Sequence, residues 1–267
     1  MRMKPGKTTG KLPNETDTIP TEETPLQGFA SLCGTFAIAL FLFSFVFQNF
    51  AIPSASMAST LLVSDHVLVE RATLAPPAAW ASFLPYRDLQ RGEPVVFYKP
   101  FLDPTGEYTI LVKRVIGVPG DRIHLRHGIV YRNGVAQNEP YATQPTLANY
   151  DPYRDDFPAI PTTNVPGVTA AWAVDLPSHI EGEDLVVPPS HYFVMGDNRT
   201  NSLDGRYWGL VPRSNLIGRP LFIYWSFKTP EDQIYKTSLF DRTTFTLHQL
   251  LHFVDDTRWG RTFQRVN

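Results

Sequence analysis

Two serines separated by one alanine, Ser54-Ala55-Ser56, follow Pro53 and precede Met57. The proline sets φ and removes a backbone donor, so this run reads as a turn. A hydroxyl on a turn can act as a nucleophile, but serine needs an adjacent base to do so. Histidines stand at 66, 124, 127, 179, 191, 248 and 252, none of them in a compact polar motif with Asp or Gly. His248 and His252 have i, i+4 spacing but lack the glutamate of a zinc-protease helix. Lysine is the other available base. Lys113 interrupts an apolar run, Tyr108-Thr-Ile-Leu-Val-Lys-Arg-Val-Ile-Gly-Val118. In a strand, Leu111 and Lys113 share one face while Ile110 and Val112 share the other. Hydrocarbon around an ammonium strips its hydration and lowers its pKa from ~10.4, leaving an amine that can accept a serine proton. The competing reading is a lysine that snorkels to water beside Arg114. A third polar run, Met195-Gly-Asp-Asn-Arg-Thr-Asn-Ser-Leu-Asp-Gly-Arg-Tyr-Trp-Gly209, is either an Asx-rich turn or a supply of groups that hold a neutral lysine, with Asp204 and Arg206 as a supporting ion pair.

These residues need elements to position them. Val63–Glu70, Pro94–Tyr98, Tyr108–Val118, Asp121–Leu125, Gly128–Val135, Leu185–Met195 and Leu221–Phe227 have strand character, dense in Val, Ile, Phe and Tyr. Asn133-Gly134 is a two-residue hairpin signal. Residues 139–180 hold seven prolines without periodicity and read as an excursion or a small irregular subdomain, an insertion of about 137–185. Ala75–Pro85 reads as a loop, with Trp80 and Phe83 suited to a membrane interface. The mixed 3–4 spacing of Phe245, Leu247, Leu250, Leu251 and Val254 predicts a helix over Leu239–Val254, inside a C-terminal extension of 229–267.

No charged residue occurs between Glu23 and Asp65. Gly28–Phe50 within that gap would form a helix roughly 34 Å long, enough for a ~30 Å hydrocarbon core. The alternative is a cleaved secretory signal, whose apolar run is usually ~7–15 residues and begins nearer the N-terminus. Residues 1–27 are then a disordered cytoplasmic tail, because Lys and Arg near the span lie only on its N-terminal side until Arg71. Everything from 51 to 228 forms the working domain outside. Cys33 is an apolar residue of the span.

Composition narrows the classes further. The chain of 267 residues carries Lys+Arg 24 against Asp+Glu 26, a formal charge of −2, which gives no basic surface for nucleic acid. One cysteine excludes an internal disulfide framework. The 24 prolines disfavour a helical bundle and favour short strands joined by turns. A mainly β fold of antiparallel sheets on one N-terminal transmembrane helix is expected.

Three separated segments together resemble the bacterial type I signal peptidase (leader peptidase) family. They are Ile52-Pro-Ser-Ala-Ser-Met57 just after a span, Val112-Lys-Arg-Val-Ile-Gly-Val-Pro-Gly-Asp121, and Gly196 through Gly209; Arg91-Gly-Glu-Pro-Val-Val-Phe97 is a fourth similar piece. The resemblance implies Ser56 as nucleophile, Lys113 as general base, Ser54 as a side-chain donor to the oxyanion beside the Ser56 N–H, and Ser202 as the group holding the lysine amine. It implies that Asp197 with Arg114, and Asp204 with Arg206, buttress this shell. It also implies that Phe50, Ile52, Leu61, Leu111 and Val112 line shallow pockets for small side chains at −1 and −3. Two departures stand out: Met57-Ala-Ser-Thr60 replaces the common Met-x-Pro-Thr, and Thr200 stands where many relatives have Asp. The implied activity is removal of signal peptides from exported preproteins by a monomer in the cytoplasmic membrane, its catalytic domain on the outer side, without cofactor or metal. Rival classes are a membrane-tethered β binding domain without activity and a self-cleaving repressor-type Ser-Lys protease, which would carry a DNA-binding helical segment and no anchor. A β-lactamase-like enzyme needs Ser-x-x-Lys, and Ser56 is followed by Met57-Ala58-Ser59.

Overall fold

The computed structural model describes residues 24–75, 86–103, 106–159, 165–230, 233, 236 and 238–267. Residues 1–23 of the expected tail and residues 76–85 of the expected interfacial loop lie outside them. Two compact units divide at Phe41/Leu42.

The first unit contains helix α1 (Pro25–Phe41), which buries none of its residues. With the wider helical turn Leu42–Val46 that follows, it forms a 22-residue stretch of mean hydropathy 2.2, long and apolar enough to cross a membrane. The span expected over 28–50 therefore starts and ends earlier. Phe47–Phe50 leave the helix because they pair as strand β1 (Phe47–Ala51) with β2 (Asp65–Glu70), Phe47 opposite Glu70 and Ala51 opposite His66.

The second unit is built from antiparallel strands: β3 (Pro94–Tyr98), β4 (Ile110–Gly117), β5 (Arg122–Arg126), β6 (Ile129–Arg132), β7 (Val135–Ala136), β8 (Ile180–Glu181), β9 (Asp184–Val186), β10 (His191–Met195), β11 (Val211–Pro212) and β12 (Leu216–Ser226). Among the described residues, seven strands form one sheet in the order β1-β2-β12-β3-β4-β10-β11, and five form another in the order β7-β6-β5-β9-β8. Positive φ at Asn133 (53°) and Gly134 (78°) makes the β6–β7 hairpin turn, for which Asn-Gly is suited. The single strand expected over Leu185–Met195 is split into β9 and β10, since Pro188-Pro189 cannot supply ladder donors. The proline-rich insertion is more ordered than its lack of periodicity suggested. It carries α2 (Pro152–Asp155), opened by the Asp151 cap, and α3 (Ala170–Asp175), opened by the Thr169 cap.

Among the described residues, three apolar clusters lock these elements. Phe157, Trp172 and Leu176 pack with Ile123, Leu125 and Phe193 where the insertion covers β5 and β10. Val95, Phe97, Val115 and Val194 pack with Tyr207 and Trp208 of α4 (Gly205–Trp208). Ile52, Met57 and Leu61 join Val67, Val96 and Ile223 beneath the serine turn. The C-terminal helix is α5 (Leu239–Leu251), followed by the turn α6 (Phe253–Asp256).

Candidate active site

β1 delivers the chain to Pro53, after which Ala55–Met57 forms one 3-10 turn with Ser54 at its N-cap position. A hydroxyl there usually caps the turn, but Ser54 makes no side-chain cap bond. Its Oγ lies instead 3.3 Å from Ser56 Oγ. Ser56 is held from behind by the strand-to-helix segment after β10: the Asn198 N–H donates to the Ser56 carbonyl at 3.0 Å, and Asn198 Nδ2 donates to the Ala55 carbonyl at 3.1 Å.

The lysine comes from the neighbouring part of the sheet. On β4, Leu111, Lys113 and Val115 project to one side, and Lys113 stands opposite Val95 of β3. Lys113 is 3% exposed, and its Nζ lies 2.5 Å from Ser56 Oγ. Burial is the main reason that its pKa falls from 10.5 to about 8; Asp204 and Asp197 pull it upward and Arg206 pulls it down. The serine oxygen and the buried amine are thus in contact, with the amine poised to be neutral just above physiological pH.

Around this pair the polar run after β10 forms two buried ion pairs. Arg114, pointing to the other side of β4, grips Asp197 with Nε at 2.7 Å and Nη2 at 2.6 Å. Arg206 grips Asp204 at 2.9 and 2.8 Å, and the Gly196 N–H donates to the same carboxylate at 2.9 Å. Burial alone would push the Asp204 carboxyl up; the Arg206 charge and these hydrogen bonds hold it below its usual range. Arg114 with Asp197 and Arg206 with Asp204 are thus two buried ion pairs flanking Lys113. Ser202 does not make the bond expected of it. It is buried, 8% exposed, and its Oγ has no hydrogen-bond partner among the described residues.

The pocket residues also separate. Leu111 lines a cleft of about 600 Å³ together with Ser54, Ser56, Lys113, Leu203 and Trp208. Ile52 and Leu61 are buried in the core beneath the serine turn, and Phe50 and Val112 pack against that core. Strand alternation is the reason: Leu111 and Val112 must face opposite sides of β4.

Several supports have no counterpart in the sequence reading. Thr60 donates its hydroxyl to Asp197 at 2.5 Å and accepts from Arg114 at 3.0 Å, joining the serine turn to the lysine strand. Gly196 permits a close approach: a Cβ there would come within 2.3 Å of Ser202 Oγ and 2.5 Å of the Ser56 carbonyl. Buried Arg199 pairs with Glu139 of the insertion at 2.7 Å through both nitrogens and donates Nε to the Gly196 carbonyl. Arg261, near the C-terminus, donates to the Thr60 carbonyl at 2.9 Å and pairs with buried Asp65. A glycine opening a polar run after an apolar strand was a usable signal for Gly196. Partners 60 and 196 residues away, as in Arg199–Glu139 and Arg261–Asp65, leave no local trace.

The profile of the signal peptidase, peptidase S26 family matches residues 27–225. The chain is 30% identical over 207 residues to the probable signal peptidase I-2 of Synechocystis sp., covering 77% of this chain and 76% of that protein. It is 33% identical over 209 residues to the signal peptidase I of Pseudomonas fluorescens, covering 73% and 70%. Among solved structures, a signal peptidase I from Enterococcus faecalis V583 aligns over 50% of this chain and 97% of its own at 26% identity, with a TM-score of 0.31 that carries no weight here. On the strength of the profile and the sequence relatives, this chain belongs to the signal peptidase family of serine peptidases, peptidase S26.

Proposed function

We propose that Ser56 and Lys113 form the catalytic dyad of a signal peptidase I that cuts exported preproteins after small-x-small sites, at the outer face of the cytoplasmic membrane. The observation that carries this reading is the 2.5 Å approach of a buried, pKa-lowered amine to the serine oxygen. Neutral Lys113 takes the Ser56 proton as Oγ attacks the scissile carbonyl. The oxygen of the tetrahedral intermediate is met by the Ser54 hydroxyl and the Ser56 N–H, and losing one such donor typically costs about 10²–10³ in rate. Lys113, now charged, passes its proton to the leaving amine. Neutral again, it takes a proton from water, whose oxygen attacks the acyl-enzyme, and returns that proton to Ser56 Oγ as the acyl group leaves. Ser–Lys is a known variant of the serine triad.

Specificity for small residues rests on Leu111 at the cleft wall, with Phe50, Ile52, Leu61 and Val112 forming the packed layer behind and beside it. The buried, unpartnered hydroxyl of Ser202 supports its role as the group that holds the Lys113 amine. The Lys and Arg residues on the N-terminal side of the span support, by the positive-inside rule, an N-terminus in the cytoplasm and a cleft on the outer side. Exported preproteins are thus met where their signal helices leave the bilayer.

The deciding experiment is hydrolysis of an Ala-x-Ala peptide by the full chain. Wild type is expected to cleave and to lose activity stoichiometrically with a serine acylator attached to Ser56. Lys113→Ala and Ser56→Ala are each expected to be inactive while folded and inserted. Normal cleavage by either variant refutes the dyad.

A further inference from the structure

A second cavity, of about 430 Å³, lies within the second unit; Phe45, Leu74, Leu216 and Ile217 form its apolar wall and Arg71 and Arg213 its cations. Phe45 is the penultimate residue of the span Pro25–Val46, and the Arg71 N–H donates to the carbonyl of Val46, its last residue, at 2.9 Å. The Arg71 guanidinium therefore stays within a side chain's length of the point where the chain leaves the hydrocarbon.

Of the surrounding carboxylates, Glu70 is committed away from Arg71, and solvent-exposed Asp88 partly neutralises Arg213. Glu70, next to Arg71, accepts from the Thr73 N–H at 2.6 Å and from the Thr73 hydroxyl at 2.5 Å, and faces Arg219 at 3.7 Å. Asp88 pairs with Arg213, which also donates to the Tyr192 hydroxyl at 3.3 Å. Among the described residues no carboxylate pairs with Arg71. An unneutralised guanidinium, a second one beside it and an apolar wall match one ligand chemistry: a phosphodiester attached to hydrocarbon. The bilayer that the span enters supplies such molecules.

We propose that this cavity binds the headgroup of an anionic glycerophospholipid, with Arg71 as the principal phosphate ligand, Arg213 as the second, and Phe45 and Leu74 against the glycerol and upper acyl chain. The site is separate from the Ser56 cleft. It would hold the β unit at the membrane surface by a contact additional to the span.

The test uses the detergent-purified full chain titrated with dihexanoyl phosphatidylglycerol, dihexanoyl phosphatidylcholine or inorganic phosphate, with bound lipid read by native mass spectrometry. Phosphatidylglycerol is expected to bind most tightly. Replacing both arginines by glutamine is expected to weaken it by on the order of 10- to 30-fold, from the several-fold contribution of each basic group near anionic lipid. Arg71→Gln alone removes a guanidinium that no described carboxylate pairs with, and should weaken binding by several-fold even if the double variant folds poorly. Arg71→Lys should retain most of it. Peptide hydrolysis in the same preparations is expected to be unchanged, so loss of lipid binding is read separately from the peptidase activity. Equal binding of the two lipids, or binding unaffected by Arg71→Gln, overturns the proposal. Inorganic phosphate binding as well as phosphatidylglycerol also overturns it, because the site would then be one for free anions.

Discussion

Lys113 is an expensive residue to bury. Its pKa falls from 10.5 to about 8 mainly through loss of hydration, a shift worth roughly 3 kcal/mol between its protonation states. The folded form binds its proton less tightly than the unfolded chain. The penalty is therefore fully present below about pH 8 and is relieved as pH rises from about 8 toward 10.5. Lys113→Met is expected to abolish peptide cleavage and raise the thermal midpoint at pH 6, with a smaller gain near pH 10; scanning calorimetry at the two pH values checks this. Catalysis has the matching sign. In the proposed mechanism Lys113 must be neutral to act as base, so kcat/KM should climb with pH through about 8. A climb only near pH 10 would mean that the amine is not desolvated in solution.

Two supports act on the dyad through whole elements. The segment after β10 packs its Gly196 against the serine turn so closely that a methyl group would strike the Ser56 carbonyl at 2.5 Å. Backbone cannot yield as a flexible side chain does, and a displacement of about 1 Å at a reacting group can cost 10²-fold. Gly196→Ala is expected to lower kcat by about that factor, with the far-ultraviolet spectrum unchanged. The C-terminal strap acts from the other side. Arg261 ties the Thr60 carbonyl and buried Asp65 to the tail after α6, while Arg258 donates to the Val63 carbonyl at 3.0 Å. Thr60 in turn bonds Asp197 and Arg114, the neighbour of Lys113. Arg261→Gln should therefore reduce kcat roughly tenfold while KM for a short peptide changes little, measured well below the melting temperature. An effect confined to the melting temperature would show that the strap is only structural.

For the molecule as a whole, the span and the cleft serve one purpose if substrate and peptidase share a bilayer. Confinement raises their effective concentration without any new contact. At constant bulk protein, adding lipid vesicles should slow processing of a membrane-inserted preprotein in proportion to the added surface. Hydrolysis of a soluble peptide should be unaffected by the same addition. Equal insensitivity of both substrates would indicate that the anchor gives no such advantage.

Dense runs of Val, Ile, Phe and Tyr made β3 and β4 legible from the chain alone, because a strand buried on both faces shows as a short continuous apolar run. Asn133-Gly134 announced its hairpin for a similarly local reason, since few residue pairs tolerate two positive φ angles. Ser56, Lys113 and the Asp204–Arg206 neighbourhood could be named because they sit in short polar interruptions of those patterns. What lay beyond reach was anything dependent on partners distant along the chain. Local hydrophobicity continues through Phe47–Phe50 and predicts a longer helix, whereas pairing with β2 makes those residues a strand. Side-chain rotation leaves Ser202 Oγ without a partner among the described residues, which only atomic positions reveal. The 2.5 Å contact itself joins residues 57 apart, so it arises from the strand order β2-β12-β3-β4 and the packing beneath the serine turn.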